Sequence, residues 1–374
     1  MDFYKKALEQ AKKLEGKIGL YSKVQIKSKE DLATAYTPGV AAVSQEIAKN
    51  KQKARELTNK GNSVAVISDG TSVLGLGDIG PLAALPVIEG KCLLFKEFAG
   101  IDAFPLVLGT KETNEIVATV RHIAPSFGGI NLEDISAPRC FEIEEKLQDT
   151  GIPVFHDDQH GTAIVILAAL TNALKVVGKE MPKVKVVILG AGAAGIATAK
   201  IISPGQLVLI DSKGPLNSTR KGLNRYKKEI TKRKNYLEVD SLEGAFRDAD
   251  VFIGVSGRGK LPVELINLMK PRSIIFALSN PNPEIMPDRA KAAGATIVAT
   301  GRSDFPNQIN NVLVFPGIFR GALDTGVKKI TAEMKLATAN ALAGMILRPS
   351  PENILPSPLD KNVVKIIRRT ILDL

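Results

Sequence analysis

Residues 184–202 read Val-Lys-Val-Val-Ile-Leu-Gly190-Ala-Gly192-Ala-Ala-Gly195-Ile-Ala-Thr-Ala-Lys-Ile-Ile, and this stretch decides the fold. An apolar run that ends directly in glycines predicts a strand over 184–189. The alanine-rich run behind it predicts a helix over 193–202. Gly190 permits the tight turn, Gly192 lets backbone approach a pyrophosphate, and Gly195 lets helix and strand pack closely. Ala191, Ala193 and Ala194 fill the intervening places, and the free N–H groups at the helix start face the phosphates. Asp211 closes the next strand, roughly 20 residues on, where an acid meets the adenine ribose hydroxyls. Strand, helix and acid together identify a dinucleotide site.

The neighbours of Asp211 bear on which dinucleotide. Asp211 favours a free 2′-hydroxyl, because a 2′-phosphate would repel it. Yet Ser212 and Lys213 follow at once, and Arg220, Lys221 and Arg225 lie just downstream, where a 2′-phosphate could be held. NAD and NADP both fit, with a lean to NADP. The basic run 220–234 otherwise reads as a solvated helix face.

Outward from this loop, strands are predicted at 207–210, 251–255, 274–278 and 296–299, alternating with helical segments as in a parallel sheet with crossovers. Upstream, 3–15 reads as an amphipathic helix, and Ser28 with Asp31 opens a short helix in capping-box fashion. Strands are expected at 63–68, 91–95, 129–132 and 154–155, and a long helix over 161–177 started by Gly161-Thr162. Helices at 331–347 and near 361–371 flank a proline-rich turn. The fold class is α/β with two domains. One is a Rossmann-type, doubly wound parallel-sheet nucleotide domain. The other is an N-terminal α/β domain for substrate and metal, completed by the C-terminal helices. The expected boundaries are 1–160, 161–309 and 310–374.

Composition narrows the class. The chain has 374 residues, 44% hydrophobic and 24% charged, which excludes disordered, collagenous and coiled-coil chains. Two cysteines, Cys92 and Cys140, are too few for a disulfide framework, so a reducing, cytoplasmic setting is expected. The charged N-terminus lacks a signal peptide's apolar core, and the most apolar stretch, 163–170, is short for a membrane span. The formal charge of +11 attracts small anions. Nucleic acid is not expected as a partner, since no zinc-finger spacing or RRM-like aromatic motif accompanies the charge.

Two acid pairs, Glu133-Asp134 and Asp157-Asp158, each follow an apolar run and so belong at strand C-terminal ends, where α/β sheets bind ligands. Carboxylates gathered there repel unless a cation sits among them, and all-oxygen donors suit Mg²⁺ or Mn²⁺. Helix capping is the other reading of each pair alone. His156 and His160 lack a zincin spacing and are expected to donate to the carboxylates. Gly75-Leu-Gly77-Asp-Ile-Gly80 repeats the glycine pattern without the acid-ended strand, and reads as a loop near the other half of the site. Taken alone, Lys91 and Tyr36 would pass for a surface charge and a helix-end core residue.

With these residues in view the sequence resembles the malic enzymes, in particular their short-chain bacterial and archaeal branch, over about residues 30–320. The likeness is carried by Tyr36-Thr-Pro-Gly-Val-Ala, Ser68-Asp-Gly, Gly75-Leu-Gly-Asp-Ile-Gly, Gly90-Lys91, Glu133-Asp134 and Phe155-His-Asp-Asp-Gln-His-Gly-Thr-Ala. Ser279-Asn-Pro-Asn-Pro and Asn310-Asn311 ahead of Phe315-Pro-Gly extend it. The resemblance implies oxidative decarboxylation of L-malate to pyruvate and CO₂, and a homodimer with the cleft near its interface. It implies Lys91 as the base on the C2 hydroxyl, Tyr36 as the acid that protonates C3, and Asp157 as the acid that tunes the lysine. Glu133, Asp134 and Asp158 would be metal ligands; Asn280 would contact substrate, with Asn311 or Asn310 as a second contact. Such a lysine needs a lowered pKa, expected from partial burial and a nearby cation.

One departure stands out. Long-chain malic enzymes carry an arginine before the glycine-rich loop that grips a malate carboxylate. Ser72 stands at that place here, so backbone N–H groups of the loop, or another cation, are expected to substitute. At this length, the extra C-terminal domain of some bacterial relatives is not expected. Competing readings are an oxaloacetate decarboxylase with little nucleotide turnover, a redox-sensing NAD(P)-binding regulator, and an amino-acid dehydrogenase.

Overall fold

The computed structural model describes residues 3–73, 75–257 and 260–374. It opens with an N-terminal arm of three helices, α1 (Phe3–Leu14), α2 (Lys29–Ala35) and α3 (Val40–Lys49), none of which buries a residue. The capping box of α2 forms as expected. The Asp31 N–H donates to Ser28 Oγ at 3.0 Å, and the Ser28 N–H to Asp31 Oδ2 at 2.9 Å.

A first sheet holds β1 (Ser63–Ser68), β2 (Asp102–Val107), β3 (Gly129–Leu132) and β4 (Val154–His156), all parallel, in the order β2-β1-β3-β4. Every residue of β1, β3 and β4 is buried, as unbroken apolar runs require when helices cover both faces. Ile67 pairs with Leu132, and Leu132 with His156. The residues just beyond these strands therefore share one edge of the sheet, and among them are Asp69, Glu133 and Asp157.

The helix between β1 and β2 corrects one expectation. Lys91–Phe95 is no strand; it lies inside α4 (Pro81–Ala99). Ala84, Ile88, Lys91, Cys92 and Phe95 form its buried stripe, the 3–4 spacing of a helix that a five-residue window cannot display. Helices α5 (Thr113–Ile123) and α6 (Arg139–Leu147) complete this layer. A second correction concerns the long helix. Observed as α7 (Asp157–Val177), it begins four residues before the expected start, and the boundary expected at 160 falls within it. Asp157 and Asp158 occupy its first turn, where negative charge suits the positive end of the helix. By length and composition α7 could cross a membrane, but 67% of its apolar window is buried inside the protein.

The second sheet runs β10-β9-β8-β5-β6-β7. Its strands are β5 (Lys185–Leu189), β6 (Gln206–Asp211), β7 (Gly214–Pro215), β8 (Val251–Gly254), β9 (Ser273–Ala277) and β10 (Ala295–Thr300). All pairings are parallel except the β6–β7 hairpin. Between them lie α8 (Ala193–Ile201), which packs on α7, and α9 (Arg225–Thr231). Three helices close the chain: α10 (Phe315–Thr325), α11 (Ala332–Gly344) and α12 (Asn362–Leu372). Phe315 and Phe319 of α10 pack edge-on against Phe95 of α4, at 4.8 and 5.3 Å between ring centroids. A Cβ on Gly317 or Gly321 would come within 2.8 or 2.6 Å of Ile367 or Ile371, so glycines set how closely α10 and α12 approach.

Candidate active site

The centre of the site is Lys91. Helix α4 delivers it, 7% exposed, to the edge where β3 and β4 end. Its Nζ pairs with Asp157 Oδ2, lies 2.9 Å from Glu133 Oε1, and sits 4.0 Å above the Phe315 ring centroid. Burial acts against the ammonium, but Asp157, Glu133 and Asp158 outweigh it and hold the pKa above that of an ordinary lysine. The expected depression is therefore absent among the protein's own groups; the carboxylates win.

The acids pay the complementary electrostatic cost. Burial is the first cause that raises the carboxyl pKa of Glu133, Asp157 and Asp158, and Lys91 only partly offsets it. Asp157 is fully buried and its Oδ1 has no hydrogen-bond partner. A Cβ on Gly161 would fall 1.7 Å from that oxygen. Gly161 thus does not start the helix; it makes room for the Asp157 carboxylate one turn earlier.

Glu133, Asp134 and Asp158 each offer an oxygen within 4.8 Å of the others. Asn131 Nδ2 steadies Glu133 Oε2 at 2.9 Å, and the Asp134 N–H donates to Asp158 Oδ2 at 2.8 Å. Asp134 itself adopts φ 55°, a left-handed turn that aspartate tolerates. An oxygen-only donor set, buried at Glu133 and Asp134 and open to solvent at Asp158, with raised carboxyl pKa values at Glu133 and Asp158, fits a hard divalent cation such as Mg²⁺ or Mn²⁺.

The histidines depart from expectation. His156 is fully buried, neither ring nitrogen makes a hydrogen bond, and Nδ1 stays 3.8 Å from Asp158 Oδ2. His160 Nε2 bonds Glu144 Oε2 at 2.9 Å, a carboxylate outside both acid pairs. Burial lowers both imidazole pKa values, favouring neutral rings.

The glycine loop 75–80 borders the site as read. A Cβ on Gly75 would meet the Asn280 carbonyl at 2.1 Å, and one on Gly301 the Asn280 amide at 2.7 Å. Asn280 is therefore held between the two halves. Asn310 spends its side chain capping the turn 311–313 by accepting the Val312 N–H, whereas the Asn311 Cβ lies 3.1 Å from where a Gly161 Cβ would be. The backbone near Ser72 is less available than expected. The N–H groups of Gly70, Thr71, Ser72 and Val73 donate to Ser68 Oγ, Asp69 Oδ1, Asp134 O and Gly77 O. Those four N–H groups are already engaged within the loop.

Tyr36 is not brought into this cluster. It ends α2 on the N-terminal arm and is 66% exposed.

The dinucleotide loop matches its reading closely. Gly190 has φ 119°, and a Cβ on Gly195 would come 1.7 Å from the Gly190 carbonyl. Around Gly192, the N-cap of α8, a Cβ would meet nothing within 4 Å, an open approach to the helix terminus flanked by Ala191, Ala193 and Ala194. Ser212 and Lys213 form the exposed β6–β7 turn. Asp211 accepts the Lys213 N–H at 2.9 Å, and its Oδ2 pairs with Arg220 and with Lys227 at 2.7 Å. Burial would raise its pKa, but these partners pull it down to about 2. The basic run is thus no mere solvated face: Arg225 also pairs with Glu145.

Three side chains escaped the sequence reading. Asp69 is buried against Arg139 at 2.8 Å and against Thr71 Oγ1 at 2.6 Å, fixing the loop that starts at Gly70. Glu144 holds His160 and accepts the His156 N–H at 3.2 Å. Glu284, 3% exposed, accepts the Ser279 hydroxyl at 2.5 Å and shapes the loop that carries Asn280. Glu144, inside α6, gives no signal in the sequence, but Ser68-Asp-Gly and the Glu that follows Asn-Pro-Asn-Pro sit within or beside quoted motifs.

Comparison with known proteins agrees with this geometry. Residues 15–148 match the family model "Malic enzyme, N-terminal domain" and 159–367 match "Malic enzyme, NAD binding domain". The chain is 52% identical to the bifunctional malic/malolactic enzyme of Bacillus subtilis, covering 99% of this chain and 92% of that one. It is 52% identical to the NAD-dependent malic enzyme of Geobacillus stearothermophilus (96% and 76% covered). Against the NADP-dependent malic enzyme of Halomonas elongata the identity is 46% (97% and 86% covered). Among solved structures, the NAD-dependent malic enzyme of Thermotoga maritima superposes with a TM-score of 0.93 at 47% identity, covering 98% of each chain.

Proposed function

Because the chain belongs to the malic enzyme family, we propose an assignment of roles to its own residues in the oxidative decarboxylation of L-malate to pyruvate and CO₂ with reduction of NAD(P)⁺. The observation that carries it is the burial of Lys91 between Asp157 and Glu133, beside the oxygens of Glu133, Asp134 and Asp158.

Glu133, Asp134 and Asp158 would hold the divalent cation, which when bound supplies positive charge to oxygens of the substrate. Lys91 takes the C2 hydroxyl proton as hydride leaves for the nicotinamide. Lys91 and Asp157 act as one unit in this step. They are in direct contact, and the positive charge of a cation bound beside Glu133 would weaken the hold of Lys91 on its proton. After CO₂ departs, Lys91 protonates the C2 oxygen to give the enol, and Tyr36 then protonates C3 as Lys91 takes the enol hydroxyl proton back, which leaves the ketone of pyruvate. Asn280 and Asn311 orient the substrate, with Asn311 favoured over Asn310 because the latter is spent as a cap.

The exposure of Tyr36 calls for a covering surface. Phe3, Tyr4, Leu8, Leu20, Tyr21 and Ile26 of the same arm are all more than half exposed. A second copy of the chain over this arm would remove that apolar area from water, and we read the enzyme as a homodimer. The division into 1–160, 161–309 and 310–374 is supported by the two sheets and by the packing of α10 on α4, its first boundary lying within α7. A cytoplasmic setting is supported by two free, buried cysteines.

The test is a coupled assay with L-malate, Mn²⁺ and either NAD⁺ or NADP⁺, reading reduced nicotinamide, pyruvate and lactate together. Equal reduced nicotinamide and pyruvate supports the assignment. Reduced nicotinamide with oxaloacetate and no pyruvate would remove the role of Tyr36. Pyruvate from oxaloacetate with no nucleotide turnover would make the enzyme a decarboxylase alone.

A further inference from the structure

A cavity of about 500 Å³ lies between α6, α7, α8, α9 and the start of α11, within the size range of small-molecule sites. It is distinct from both sites described above. None of the acids around Lys91 lines it, and it meets α8 along Ile196 to Ile201, away from the Gly192 loop at that helix's start. Phe141 and Tyr226, their rings inclined at 44° with centroids 4.4 Å apart, make an aromatic wall, and Ala163 and Ile196 make an apolar one.

Its charges are unevenly matched. Of the two acids in the lining, Glu144 is bonded to His160 and Glu145 to Arg225. Lys200 reaches Glu229 at 3.3 Å. Lys335 is the exception. Among the described residues no carboxylate comes within 4.0 Å of its Nζ, which lies 5.9 Å from the Phe155 ring centroid. Burial disfavours this ammonium and Glu144 only partly compensates. A largely buried ammonium with no acid bonded directly to it, in a cavity with an aromatic and an apolar wall, is matched by an anion with an apolar body.

We propose that this cavity binds a small monocarboxylate with an aromatic or branched apolar body, its carboxylate on Lys335, and that the bound ligand is coupled to the metal acids. The coupling follows from the wall. Glu144 bonds both the His156 N–H and His160, and so brackets the start of α7, where Asp157 and Asp158 stand. A ligand that moves Glu144 moves that turn.

Calorimetric titration of the full chain with phenylacetate, and with phenylacetamide as its uncharged counterpart, tests both parts. Expected are saturable phenylacetate binding at one site per chain and at least tenfold weaker binding of the amide. Lys335→Met should weaken phenylacetate at least tenfold, and Ala197→Trp, which fills the cavity, should abolish binding. Circular dichroism establishes that each variant is folded, and Lys335→Met alone decides the matter if Ala197→Trp is not. No saturable phenylacetate binding, equal binding of acid and amide, or binding that survives Lys335→Met overturns the proposal. Mn²⁺ should change the phenylacetate Kd, with phenylacetate changing the Mn²⁺ Kd by the same factor; a Kd indifferent to Mn²⁺ overturns the coupling.

Discussion

Two charged clusters, one at the edge of each sheet, are out of balance in opposite directions. At the first, a single cation, Lys91, stands among Glu133, Asp157 and Asp158, and the acids bind protons more tightly than usual. At the second, a single acid, Asp211, stands between Arg220 and Lys227 and gives up its proton at about 2. Excess buried negative charge demands a cation; excess positive charge tolerates an anion. The sign of the imbalance therefore tells which kind of ligand each half of the protein is built to meet.

The largest test removes the lone cation of the first cluster. Lys91→Met should lower kcat by ~10²–10⁴, the usual worth of a positioned base, and leave the dinucleotide Kd unchanged. A parallel loss of dinucleotide binding would show that the clusters are not independent. Next comes the cation that the acids invite. At a hundred times its Kd, Mn²⁺ should add about 2.7 kcal/mol to stability, seen as a rise in Tm that EDTA reverses. Asp158→Asn should abolish the rise. If it persists undiminished, the metal binds elsewhere.

This contrast was half legible in the sequence. The acids could be placed because each follows a short apolar run that ends a parallel strand, and the Asp211 site because glycines and acid share one strand–helix unit. Lys91 was misplaced into a strand. Its window shows no period, while the stripe from Ala84 to Phe95 shows a helical one. Strand β2 went unseen because Pro105 interrupts it; the strand lies at the sheet's edge, where a missing N–H is tolerated. Glu284 reads as a solvated loop acid, and only the fold shows that it is buried and bonded to Ser279. Partners distant in sequence, such as Asp69 with Arg139, leave no local trace at all.

Acid titration sharpens the second cluster. The folded pKa of Asp211, about 2, lies below its ordinary 3.8. The stability it contributes is therefore present above the unfolded value and lost as pH falls through the folded one. With its side chain 9% exposed, the shift is worth ~2 kcal/mol. Asp211→Asn should be less stable than the parent by about that amount near neutral pH, with the gap closing as pH falls toward 2, as urea midpoints across the range would read. A gap that stays constant would mean the asparagine disturbs packing, and the ion pairs would lose their place in the comparison.

The smallest effect concerns the dinucleotide, and it decides what the positive excess is for. Asp211 can accept a ribose 2′-hydroxyl, but its charge opposes a 2′-phosphate, while Arg220 and Lys227 would welcome one. The three groups together carry one net positive charge, which is why a lean to NADP survives the presence of the acid. Asp211→Asn removes the repulsion and frees both cations, so the ratio of NADPH to NADH affinity should rise about tenfold, or ~1.4 kcal/mol. Lys227→Met should move the ratio the other way. Fluorescence titration of the reduced dinucleotides reads both changes directly in binding, without turnover. If Asp211→Asn instead weakens both dinucleotides equally, the acid acts only as the anchor of Arg220 and Lys227, and the second cluster is a structural ion pair without a say in cofactor choice.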